Sequence, residues 1–155
     1  MNQLTSHALP AEETLSEYER DLVAWLEKQA SILRAGKFET LDLHNLVEEL
    51  EAMAGRDRRE LASRLAVLLT HLLKCQFQPD QKSSSWIDTI REQRDEIAAL
   101  LEQSPSLRQL VHEYSQDAYQ RAVKRAVDQT GLASSAFPTR NPFTAEQILD
   151  ETFLP

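Results

Sequence analysis

The side chains that could do chemistry in this chain are a few polar groups set among apolar neighbours. Arg64 and His71 lie in the stretch DRRELASRLAVLLTHLLKCQFQP, seven residues apart, two helical turns along roughly one face. Glu48 and Glu49 come before them in sequence, Gln93 and Arg94 after. A charge taken out of water is costly unless it is paired and hydrogen-bonded. The sequence therefore predicts one polar cluster of Glu48, Glu49, Arg64, His71, Gln93 and Arg94, with Arg64 and His71 facing Glu48 or Glu49 and Arg94. Such a cluster either holds helices in register or lines a small pocket for an anion or metabolite.

A metal centre is the sharper version of the same idea. His44 and Glu48 stand at i and i+4, neighbours on one helical face, and His71 and His112 fall on other helices. Helical bundles gather Glu and His from facing helices around metals. The Glu-x-x-His and His-Glu-x-x-His patterns are both missing, however, so no metal and no cofactor is expected. Cys75, the single cysteine, sits near a helix C-terminus, where the dipole opposes a thiolate, and reads as an inert residue. The chain has no serine in a nucleophile-elbow pattern and no Gly-rich phosphate loop among its three glycines. The basic groups Arg56, Arg58, Arg59 and Arg121, Lys124, Arg125 read as solvated faces.

Helices must position all these residues. From Leu65 to Leu73 nearly every residue is apolar, broken only by Thr70 and His71. A helix apolar all round is usually surrounded by protein, and this run is too short to span a bilayer. Residues 57–77 are thus expected to form the central helix of a bundle, capped by Asp57 and stopped before Pro79. Ser16 with Glu19 makes a capping-box pattern, opening a helix that buries Tyr18, Leu22, Trp25, Leu26, Ile32 and Leu33 and stops at Gly36. Asp42 caps the next, whose expected buried face is Leu43, Leu46, Val47, Leu50 and Met53. Gly55 is read as a break between that helix and the central one; because a glycine costs only about 1 kcal/mol inside a helix, one long bent helix over 43–77 is the alternative.

Two further helices are expected, from Ser85 to about Gln103 and from Pro105 to about Thr130, with Gly131 as a stop. The last residues, 132–155, carry Phe137, Phe143, Ile148, Leu149, Phe153 and Leu154, too many large apolar groups for a free tail. They predict a segment wrapped back over the bundle, with a short helix near 145–150 opened by the capping box Thr144–Gln147. The fold class is all-α: about five main helices around an apolar one, in a single domain over 1–155 with a loose lead-in over 1–13.

Composition limits the function. A net charge of −8 gives no overall attraction to nucleic acid or to anionic membranes. One cysteine excludes an internal disulfide and fits a reducing compartment. MNQLTSHALPAEE has neither the basic nor the apolar region of a secretory signal, so a cytoplasmic location is the expectation.

Several separated stretches carry a resemblance in the same order. They are YERDLVAWLEKQASILRAGKFETLDLHNLVEELEAM, RRELASRLAVLLTHLLKCQFQP, SSSWIDTIREQR and FPTRNPFTAEQILDETFLP. From about Tyr18 to the C-terminus the chain resembles the bacterial "domain of unknown function 29" family. That resemblance implies a compact all-helical fold and no activity. Matching positions include Asp42, Glu48, Glu49, Arg64, His71, Lys74, Trp86, Gln93 and Arg94. Cys75 stands where relatives commonly have Trp, and His44 where an acidic residue is commoner. The leading expectation is a non-enzymatic module that contacts a protein partner or a second copy of itself. The alternative is a small-molecule or metal-binding protein, or an enzyme, using the cluster around Arg64 and His71.

Overall fold

The computed structural model describes residues 15–155; the expected lead-in over 1–13 lies outside them. Every regular element among the described residues is helical: α1 (Glu17–Arg20), α2 (Leu22–Arg34), α3 (Leu43–Phe77), α4 (Ser84–Gln103), α5 (Val111–Thr130) and α6 (Ala145–Leu149). Short 3-10 turns precede α3, α4 and α5, and another lies at Ser134–Ala136. The fold is all-α, with four long helices. No described helix is long and apolar enough to cross a membrane. The chain divides into two compact units, the first ending at Ala52 and the second beginning at Met53.

In the second unit, the buried side of α3 is made by Leu61, Leu65, Leu68, Leu69, Leu72 and Leu73, all at 0 % exposure. Ile90, Ile97 and Leu101 of α4 and Val111, Ala118, Tyr119, Ala122 and Ala126 of α5 complete that core. Ser63 and Gln76 are exposed, and along one edge of α3 Glu60, Arg64, Val67 and His71 are half-buried. Their 4-3-4 spacing keeps them on one edge of the helix.

The C-terminal segment wraps this core as its composition predicts. Phe137, Phe143 and Ile148 are buried, and Leu149 and Phe153 pack against the same cluster. Thr144 and Gln147 form the capping box that opens α6. Gly131 ends α5 with φ 74°, a left-handed value that an L side chain adopts only at a cost.

The first unit is a helical hairpin. Ser16 and Glu19 form their capping box, but the expected single helix is interrupted at Asp21, whose extended backbone (φ −153°, ψ 92°) closes α1. The Asp21 carboxylate then caps α2 by accepting from Ala24 N–H at 3.0 Å. Gly36, at φ 69°, turns the chain out of α2.

Three expectations need correction. The helices foreseen on either side of Gly55 are one continuous helix of 35 residues, so Asp57 lies inside α3 and caps nothing. Its carboxylate instead accepts from the Ser104 hydroxyl at 3.2 Å. The small propensity cost of Gly55 is outweighed by the helix on both sides of it, and the Arg59 guanidinium comes within 3.0 Å of where a Cβ would stand. The helix read as starting at Ser85 starts at Ser84, after Ser83. Last, the apolar residues expected to face inward are not all buried: Leu22, Leu26 and Leu33 of α2 and Leu43, Val47, Leu50 and Met53 of α3 are exposed.

Candidate functional site

Hydrogen bonds between the hairpin's helices set which sides face each other. The Trp25 indole N–H donates to Asp42 Oδ2 at 3.0 Å, and Gln29 Oε1 accepts from the Asp42 backbone N–H at 2.9 Å. The Tyr18 hydroxyl donates to Glu49 Oε1 at 2.6 Å, which pushes the phenol pKa up. Asn45, through its side-chain amide, and Trp25 hold the Asp42 carboxyl below its usual range. Trp25 and Gln29 are buried at 2 % and 4 %, and Tyr18 meets Trp25 edge to face. These contacts run antiparallel, Gln29 at the start of α3 and Tyr18 further along it.

The exposed apolar residues sit one place after inward ones. Leu26 follows Trp25, Leu33 follows Ile32, and Leu43, Val47 and Leu50 follow Asp42, Leu46 and Glu49. Each step along a helix turns a side chain by about 100°, and in an antiparallel pair that turn leads to the same side of both helices. Leu22, Leu26 and Leu33 therefore share one face of the hairpin with Leu43, Val47 and Leu50. Their exposures run from 39 % to 65 %, leaving on the order of 500 Å² of apolar surface, near the top of the range for the largest patch on a monomer. Leu43, Val47 and Leu50 repeat at four and three residues, the spacing of a seam between packed helices; on α2, Leu22 and Leu26 are four apart and Leu33 seven further on, with the buried Gln29 between them.

Five of the six residues predicted to form a polar cluster hold partners of their own, none of them shared. Arg64 donates through Nε and Nη2 to Glu60 Oε1, at 2.9 and 2.8 Å, and lies 3.0 Å from Glu96 Oε2. Glu49 takes the Tyr18 hydroxyl, and Glu48 lies 3.3 Å from His44 Nε2 on an exposed face. His71 Nδ1 is 3.0 Å from the Val67 carbonyl oxygen, which can only accept, so that nitrogen carries the proton. Burial lowers the His71 pKa from 6.5, with the Val67 bond opposing and the Lys74 charge assisting. Gln93 joins Glu60, Ser63, Arg64 and Val67 in lining an open groove of about 310 Å³.

Arg94 has a different job. It is 4 % exposed and donates to three main-chain carbonyls, Ile148 at 3.0 Å, Phe153 at 2.8 Å and Gln147 at 3.1 Å. One guanidinium thus satisfies the C-terminal end of α6 and the turn after it, where helix carbonyls lack intrahelical partners. Burial lowers its pKa, against the charges of Asp150 and Glu151.

The sequence reading also missed a buried cation. Lys74, 6 % exposed, donates to Gln129 Oε1 at 2.8 Å and lies 4.2 Å from the centre of the Trp86 ring. Burial lowers its pKa and raises that of the neighbouring Cys75 thiol, which leaves the thiol protonated and unreactive at neutral pH. A lysine inside an apolar run at i+3 from His71 was the available signal. Among the described residues, no three His, Cys, Asp or Glu side chains gather as a metal site.

No curated protein and no solved structure matches the chain. One family model does, the "Domain of unknown function DUF29", over residues 17–154. With nearly its whole length matched, from the start of α1 to the last residues of the C-terminal wrap, the chain belongs to the DUF29 family.

Proposed function

We propose that the protein is a non-enzymatic, cytoplasmic interaction module whose working surface is the apolar face of the hairpin. The observation that carries this reading is the exposure of Leu22, Leu26, Leu33, Leu43, Val47 and Leu50 on one side of two paired helices. Isolated surface leucines need no explanation, but a contiguous apolar patch with seam spacing is a feature of surfaces that bind helices. The polar residues offer less to a ligand. Arg64 is held by two carboxylates, Arg94 is used up by main-chain carbonyls, and His71 is bonded to its own helix.

The test compares proteins captured from native cell extract by the wild type and by a Leu26→Glu/Val47→Glu variant. Partners that depend on the face are expected to be retained by the first and lost by the second. An identical captured set would overturn the reading.

A further inference from the structure

We infer that the occupant of the hairpin face is a second copy of the same hairpin, giving a twofold four-helix bundle. This rests on the interaction reading above and names its partner. Both helices of the hairpin carry an exposed apolar stripe, so a single partner helix would cover the groove between them, whereas a second hairpin presents two stripes to two. A twofold operator needs a patch that complements itself, and a central apolar band flanked by polar residues does so. Two copies would bury on the order of 1,000 Å² from the six apolar side chains alone, and with their polar rims reach the roughly 1,200 Å² at which specific interfaces begin.

Charge selects the arrangement. Between Asp42 and Ala52, α3 with its cap carries Asp42, Glu48, Glu49 and Glu51 and no Lys or Arg, whereas α2 mixes Glu27 with Lys28 and Arg34. Laying α3 on α3 would set the acidic segments against each other. A twofold axis parallel to the helices lays α2 of each copy on α3 of the other, keeps every neighbouring pair antiparallel, and separates the acidic segments diagonally across the bundle. In that packing Leu26 lies near Leu43 of the other copy.

Sedimentation equilibrium of the purified full chain reads the result. The wild type is expected at twice its 17.7 kDa chain mass, and Leu26→Glu/Val47→Glu at the single mass, with circular dichroism showing that helicity is kept. Leu26→Lys and Leu43→Glu should each be monomeric alone, and mixing them should restore the doubled mass. Three results overturn the inference: a wild type that stays at the single mass at tens of micromolar, a double-glutamate variant that still dimerises, or a mixture that stays monomeric. A monomeric wild type whose captured partners are still lost in Leu26→Glu/Val47→Glu removes the second copy and leaves the interaction reading standing. If the variant changes neither mass nor capture, both fall.

Discussion

Leu50 and Leu69 lie on the same helix and live in opposite surroundings. Leu69 is at 0 % exposure among the leucines of α3, the inner side of α4 and the alanine stripe of α5, while Leu50 is 59 % exposed in the hairpin. Their local sequences, LVEELEAM and AVLLTHLL, are both rich in leucine and both helical. The difference is in what the neighbouring chain supplies. In the second unit, α4, α5 and the C-terminal wrap cover nearly every side of residues 61–75. In the hairpin, α2 offers a buried contact through Trp25 and Gln29, and the remaining leucines keep their water. One unit is held by apolar burial, the other in large part by hydrogen bonds across a narrow seam.

The contrast can be broken most forcefully at the two leucines. Leu69→Ala is expected to cost about 3 kcal/mol, within the range for truncating a fully buried leucine, and Leu50→Ala less than about 0.5 kcal/mol for the isolated chain, as for an ordinary surface site. Chemical denaturation of both variants checks this, and equal losses would erase the distinction between the units.

Arg94→Met comes next. It strands the carbonyls of Gln147, Ile148 and Phe153 and should destabilise by about 2 kcal/mol, on the scale of leaving buried acceptors unpaired. Amide exchange should accelerate first in α6; exchange unchanged there would mean that Phe143 and Ile148 hold the wrap without the guanidinium. In the hairpin, Trp25→Phe keeps an aromatic group, smaller than the indole, and removes the donor to Asp42, at an expected cost of at least about 1 kcal/mol. The measurement is the melting of the hairpin followed by exchange of α2 amides. No effect would show that apolar contact, rather than the bond to Asp42, closes that seam.

The smallest effect is on His71. Its folded pKa lies below the ordinary 6.5 because burial disfavours the charged ring, so the unfolded chain takes up a proton more readily. Stability is then fully present above about pH 6.5 and declines as the pH falls through that value. Thermal melts of the wild type should drop between about pH 7.5 and 5.5, and those of His71→Gln should drop less. Parallel curves would show that His71 is solvated.

Much of the architecture was legible along the chain because it rests on local rules. The capping boxes at Ser16 and Thr144, the left-handed glycines at 36 and 131 and the stop before Pro79 each follow from a few residues and the groups they satisfy. Gly55 misled because its local cost was read without the helix on either side. The polar set misled for another reason. Charge pairing was assigned by type, yet Arg64 found the carboxylate one turn back, Glu60, and Arg94 found carbonyls more than fifty residues away in sequence.

The sequence by itself determined that the chain is helical, where most helices begin and end, and that residues 61–73 and the late phenylalanines seek burial, since periodicity and capping act within a few turns. Only the tertiary structure decided which apolar stripe is covered and which is left to water. A leucine pattern states that a face is apolar and is silent on whether another part of the chain arrives to bury it. The same reason separates Arg64, an edge residue between two carboxylates, from Arg94, the latch of the C-terminal wrap: their partners come from other segments, and only folding brings those segments to them.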